Sequence, residues 1–210
     1  MTTKNFIVEH LDDELGPWSE LEYLSIAMDC HRAGSRFCLS LLPTSLVLPD
    51  SLINAPGLIA EKESVEIMYA DNKDCVCLLD PAAPKQLSPE DGDIFTTFLF
   101  GGILGDDPPR DRTSELRSKG YQGRNLGPVQ MTTDTAVRVT RLVVLEKKRL
   151  DEIHYNDQPE IHVNKNEKIL MPFRYVQDAR GNSIMPEVRA AKGMLELIKK
   201  DSEKSLGDLF

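Results

Sequence analysis

Gly101, Gly102 and Gly105 follow an apolar run and precede a charged block, Asp106, Asp107, Arg110 and Arg112, with two prolines between the acids and the arginines. Glycine lets backbone come close to a ligand, and consecutive prolines hold the flanking charges in place. A second rigid loop, Gly127-Pro128, lies between Gly123 and Thr133. Two such loops, each after a sheet element and before a helix, can bracket a nucleoside. Neither is a phosphate loop, since no Gly-Lys-Ser/Thr follows, and neither has the dinucleotide-binding spacing. A glycine turn with Asp111 or Thr113 capping the next helix accounts for the first loop without any ligand. Glu9 is the third feature: an acid among Ile7, Val8 and Leu11 is costly unless it is paired or used. His10 alternates onto the opposite face of the same strand. Glu22 has a structural explanation, as partner of Ser19 in a capping box. His31, His154 and His162 lack metal-ligand spacing, so no metal is expected.

Positioning these groups falls to elements legible in the hydrophobic pattern. Residues 5–11 read as a short buried strand, and Gly16-Pro17 breaks the chain before a helix from Ser19 to a stop at Gly34. Strands are expected over 37–42, 65–70 and 75–80, with a weaker helix over 49–60 between the first two. Residues 94–104 form the most apolar strand, and a helix covers 113–119. Residues 132–148 are rich in valine, but their length, Asp134 near the start and the basic end favour helix. Strands alternating with helices imply an α/β fold, a mostly parallel sheet flanked by helices, with ligands at the carboxyl ends of the strands. After Asp151 a hairpin over 161–176, broken at 164–166, and a helix from Pro186 to about 200 read as a short appended hairpin-helix extension. The division is therefore one domain over 1–210, with a core over 5–150 and an extension over 151–200 packed on it. Phe173, Arg174 and Tyr175 put aromatic and basic groups near a sheet end, suited to closing over a cofactor or recruiting a partner.

The chain has 210 residues, 40% hydrophobic and 28% charged, enough to build a core without disulfides. Four cysteines form no Cys-x-x-Cys pair and are expected as reduced thiols. No apolar run approaches the ~20 residues of a membrane span, and the N-terminus lacks a signal-peptide core, so a cytoplasmic location is expected. The net charge of -9 argues against a general nucleic-acid coat. Its distribution is uneven. Residues 9–22 carry six acids and no Lys or Arg, while 110–149 carry ten Lys or Arg against four acids. Two solvated faces of opposite sign, or an acidic mouth for a cationic substrate beside a basic wall, both fit that pattern.

The block 101–117 (GGILGDDPPRDRTSELR), followed by NLGPVQMTTDTA over 125–136, resembles the SPOUT methyltransferase superfamily. The similarity is strongest to its branch of protein arginine methyltransferases that modify a small-subunit ribosomal protein, and Ile7-Val8-Glu9-His10 and Trp18 to Tyr23 fit that branch. The resemblance implies a trefoil knot and S-adenosylmethionine as cofactor. It would be held by Leu79, Asp80, Pro81, Gly101, Gly102, Ile103, Leu104, Gly105, Leu126, Gly127, Gln130, Met131 and Thr132. It further implies a basic ribosomal protein as partner, no stable nucleic-acid complex, no membrane and a monomer. An arginine substrate is protonated at any working pH, so carboxylates must grip it, and Glu9, Glu22 and Asp106 are the candidates. His10, Arg110, Arg112 and Asn125 are candidates for the substrate mouth. The alternatives are a SPOUT enzyme acting on rRNA or tRNA, with the basic stretch as phosphate track, and a cofactor-binding assembly factor without chemistry.

Overall fold

The computed structural model describes residues 3–102, 113–164 and 167–186. Six parallel strands form one sheet in the order β3-β2-β1-β5-β4-β6. They are β1 (Asn5–His10), β2 (Arg36–Ser40), β3 (Leu58–Ala60), β4 (Val76–Leu79), β5 (Thr97–Gly102) and β6 (Gln122–Arg124). Alternation along each strand sets what each face receives. Phe6, Val8, Cys77, Leu79, Phe98 and Phe100 join Tyr23, Ile26 and Ala27 of α1 (Pro17–Arg32) and Val137 and Val143 of α6 (Thr133–Val144). Ile7, Cys38, Val76, Leu78 and Leu99 pack instead on Val65 of α3 (Val65–Met68), Leu116 of α5 (Ser114–Ser118) and Tyr121. The parallel α/β architecture expected from the sequence is therefore present, with helices on both faces. Among the described residues no helix is long and apolar enough to cross a membrane.

Several elements differ from expectation, each for a local reason. The helix α1 opens at Pro17 behind Gly16, with proline in its first turn, so Ser19 is buried inside it and no side chain caps its start. The expected capping box between Ser19 and Glu22 does not form. The helix expected over 49–60 shrinks to α2 (Asp50–Ile53), because Pro56 cannot continue it and Gly57 turns left-handed at φ 75° before β3. Residues 65–70, expected as a strand, become α3, because the Ser64 hydroxyl accepts the Ile67 N–H at 3.4 Å and starts a helical turn. Ile94 ends α4 (Asp91–Ile94), so the apolar strand starts three residues later than the pattern suggests. β6 lacks any branched apolar residue, and nothing in the pattern announces it. It pairs with β4, and Gly123 lets it lie close to Ala83, whose Cβ would stand 2.9 Å from a Cβ placed there.

Beyond α6, β8 (Glu160–Asn164) and β9 (Glu167–Leu170) form the expected hairpin. β10 (Arg174–Val176) leaves it and pairs antiparallel with β7 (Tyr155–Asp157). Val176 and Ile153 join the larger core, and the Arg174 N–H donates to the Gln130 carbonyl at 2.9 Å. The helix expected after Pro186 lies outside the described residues.

Candidate functional site

β5, β4 and β6 are adjacent and parallel, so the segments leaving them emerge together at one edge of the sheet. Gly101 and Gly102 end β5, Asp80 and Pro81 follow Leu79 at the end of β4, and Leu126, Gly127, Gln130, Met131 and Thr132 run from β6 into α6. The sequence-selected cofactor segments thus meet where a parallel α/β sheet binds ligands, outside the strands' carboxyl ends. Ile103, Leu104, Gly105, Asp106, Arg110 and Arg112 lie outside the described residues.

Side chains fix these segments to one another. Asp80 accepts Arg117 Nε at 2.5 Å and Nη2 at 2.7 Å, the Thr113 hydroxyl at 3.0 Å and the Ala82 N–H at 3.0 Å. Burial alone would raise its pKa, but these donors outweigh it and hold the carboxyl below its ordinary value. Thr113 therefore serves Asp80 rather than capping α5. Asn125 donates to the Ala83 carbonyl at 2.8 Å and accepts the Gly127 N–H at 3.0 Å. Its amide ties two loops together and braces the Gly127 turn. Gly127 itself needs its freedom, at φ 101°. Arg124 turns inward, donating to Asp91 through Nε at 2.9 Å and Nη2 at 2.8 Å and stacking over Phe95 at 5.1 Å.

Glu9 and Glu22, expected from the sequence to act as a pair, are separated by the sheet. Glu9 lies on the Ile7 face, where its Oε2 accepts the Val65 N–H at 2.7 Å and the Ser40 hydroxyl at 3.2 Å. Glu22 lies on the other face, fully buried, with Oε1 accepting Trp18 Nε1 at 2.7 Å and Oε2 without a hydrogen-bond partner. Two acids on opposite faces cannot grip one guanidinium, so the expected Glu9–Glu22 clamp does not assemble. Asp134, in the first turn of α6, is the acid whose charge acts on Glu22. Its Oδ1 accepts the Thr132 hydroxyl at 2.7 Å, and its Oδ2 has no hydrogen bond. Burial and the Asp134 charge raise Glu22 well above the usual carboxylate range, against opposing help from Trp18 and the backbone N–H groups of Asp134 and Thr133. Asp134 is raised too, chiefly by burial. Those N–H groups open α6, so the pair sits at a helix N-terminus, which favours negative charge.

His10 is on the Glu22 side of the sheet. Its Nδ1 lies 3.0 Å from the Tyr23 hydroxyl, its Nε2 has no partner, and burial lowers its pKa. Tyr175 of β10 comes to the same region: its buried hydroxyl lacks a partner, and its pKa is raised by burial and by Asp134 and Glu22. Sequence reasoning misses Asp134 and Tyr175 as site residues. Asp134 reads there only as a helix-start signal, and nothing in the local pattern marks Tyr175 as facing Glu22. Two buried carboxylates and a phenol oxygen are acceptors of the kind a cation with several N–H donors requires.

The profile of a family described as "Protein arginine N-methyltransferase SFM1-like" matches residues 5–205. Protein arginine N-methyltransferase SFM1 of Saccharomyces cerevisiae is 43% identical, over 98% of this chain and 99% of its own. The crystal structure of the yeast arginine methyltransferase SFM1 complexed with SAM superposes at a TM-score of 0.82, with 41% identity over 97% of this chain and 93% of that one. A dual specific Trm10 from Thermococcus kodakaraensis, 19% identical, aligns at a TM-score of 0.54 over 71% of this chain and 96% of its own, a likeness of fold alone.

Proposed function

Because the chain belongs to the SFM1-like protein arginine N-methyltransferase family, we propose that it methylates an arginine side chain of a basic small-subunit ribosomal protein. It is a protein arginine N-methyltransferase that uses S-adenosylmethionine. One observation supports the arginine chemistry above others: Glu22, a fully buried acid with an unpartnered oxygen, at the start of the helix fed by the 126–132 loop. The residues present fit the cofactor. Three strand ends converge, glycine backbone lines them, and Gly127 and Asn125 pre-form one loop. Leu79 to Pro81, Gly101 to Gly105 and Leu126 to Thr132 would hold it, largely through backbone groups, with Arg110 and Arg112 meeting its carboxylate. The trefoil knot of SPOUT proteins, a monomeric state and a cytoplasmic location belong to the same reading.

When bound, S-adenosylmethionine supplies a methyl group on a sulfonium. The chain's own part is to place an arginine nitrogen about 3 Å from that carbon, to hold the planar fork and to take its proton. Glu22 is the proposed clamp and proton acceptor, with Asp106 as the further acid the sequence offers. The nitrogen lone pair forms the new N–C bond while the S–C pair returns to sulfur, and the departing proton goes to carboxylate or water. Glu9 builds the end of β1, and His10 shapes the floor beside Tyr23.

The RNA reading is weakened, since the described part of the basic stretch is paired with the chain's own carboxylates. All eight described Lys and Arg residues of 110–149 have a carboxylate within 4.0 Å, among them Arg117 with Asp80, Arg124 with Asp91 and Arg138 with Asp29. Incubation with methyl-labelled S-adenosylmethionine and small ribosomal subunits decides between the two. Label that resists nuclease and is recovered as methylarginine in one basic protein is the expected result. Label released by nuclease would make this an RNA enzyme.

A further inference from the structure

We propose that Asp134 and Tyr175 complete the guanidinium site with Glu22, and that Trp18 is its gate. The inference rests on the arginine reading above and adds the residues that read the substrate. Three elements each deliver one buried polar atom without a hydrogen-bond partner: Glu22 Oε2 from α1, Asp134 Oδ2 from the first turn of α6 and Tyr175 Oη from β10. All three residues are at least nine-tenths buried. Their charges are felt by one another: Asp134 acts on Glu22, and both act on Tyr175. Native proteins leave very few buried polar atoms unmatched, and here three of them lie on elements that pack together: α1 on α6, α6 on β10, and Tyr175 in the cluster with Trp18, the partner of Glu22.

A protein cation meets this demand only in part, through an Arg138 contact to Asp134 that is too long for a hydrogen bond. Arg138 Nη1 is 3.9 Å from Asp134 Oδ2, and its Nη2 is already held by Asp29 at 2.5 Å. The complementary ligand is a flat cation with several N–H donors, which two carboxylates and a phenol oxygen can grip together. The place also suits transfer. Asp134 lies two residues beyond Thr132, the last residue of the expected cofactor loop, and the Arg174 N–H ties the Tyr175 strand to Gln130 of that loop at 2.9 Å. Tyr175 packs with Met171 and Phe173 into an apolar wall against which half-buried Trp18 rests, while the Trp18 indole donates to Glu22 Oε1 at 2.7 Å. That wall keeps water from the acids, and an entering guanidinium has to displace or stack on the indole.

Trp18 is the only tryptophan in the chain, so its emission and its indole N–H resonance report on this place alone. The test titrates a blocked Gly-Gly-Arg-Gly-Gly peptide into protein saturated with S-adenosylhomocysteine, and repeats it with citrulline in place of arginine. The expected result is that the arginine peptide perturbs both Trp18 signals and the neutral citrulline peptide does not. Tyr175→Phe and Asp134→Asn should each weaken peptide binding and kcat/KM at least tenfold, with the S-adenosylhomocysteine Kd within twofold of wild type. Tyr175→Phe should not lower Tm, because it removes an unmatched buried hydroxyl. Equal responses to both peptides, no response to either, or variants that keep peptide affinity and kcat/KM within twofold would overturn the proposal. Those outcomes differ from failure of the arginine reading itself, which is scored on wild type by where the methyl label is recovered.

Discussion

Glu22 is held with its proton to higher pH than in the unfolded chain, because burial and Asp134 both disfavour its charge. Below the unfolded pKa both states are protonated and nothing is lost. As pH rises through that value the unfolded chain ionises first, and stability falls until the native carboxyl ionises as well. The Tm advantage of Glu22→Gln over wild type should therefore grow as pH rises above the ordinary glutamate value of about 4.3. The same variant should lose roughly 10²- to 10⁴-fold in kcat, the usual worth of a positioned base, while cofactor affinity measured by calorimetry changes little. In wild type the acid limb of kcat/KM should lie above the ordinary glutamate range of about 4.3. Removing the facing charge with Asp134→Asn should move what remains of that limb downward. A limb unmoved by Asp134→Asn would separate the two acids. Glu9 makes the opposite prediction. Glu9→Leu strands the Val65 N–H and the Ser40 hydroxyl, which should cost about 1–3 kcal/mol in denaturant melts. Glu9→Gln keeps an acceptor oxygen and should lose less. Turnover abolished by Glu9→Gln at unchanged stability would return Glu9 to the chemistry.

At the scale of elements, the candidate site is a set of loops tied to one another by side chains. Asn125 joins the Ala83 and Gly127 backbones, so Asn125→Ala removes two hydrogen bonds worth about 1 kcal/mol each. Cofactor Kd should rise about tenfold, with kcat nearly unchanged at saturating cofactor. An unchanged Kd would mean that the loop does not need this tie. The elements most legible from sequence are those with long periodic patterns: β1, α1, β5 and α6 fall close to their expected places. The ones that are not legible are short. A serine hydroxyl at Ser64 turns a branched apolar run into a helical turn, and Pro56-Gly57 cuts a helix to one turn. β6 carries no β-forming side chain and exists through its pairing with β4.

Across the whole molecule, opposite charges separated in sequence are matched in space. Arg124 with Asp91 is a buried example, and Arg124→Met should cost about 3–5 kcal/mol by leaving Asp91 without its guanidinium, faced only by exposed Lys85 at 3.9 Å. With the described part of the basic stretch neutralised, affinity for homopolymeric RNA at physiological salt should be no tighter than the non-specific range of about 10⁻⁴–10⁻⁶ M. Much tighter binding would revive the RNA reading. Periodicity, glycine and charge are properties of short stretches, so the parallel α/β class, the glycine loops at the strand ends and the acidity of Glu9 and Glu22 can be read along the chain. Which acids share a face is a matter of packing. Alternation along β1 puts Glu9 on one side of the sheet. α1 packs on α6, so that Glu22 feels the charge of Asp134, and β10, from much later in the chain, packs on α6 and sets Tyr175 in the cluster with Trp18. Contacts between residues so distant in sequence leave no local pattern, which is why their pairing can be read only in the folded molecule.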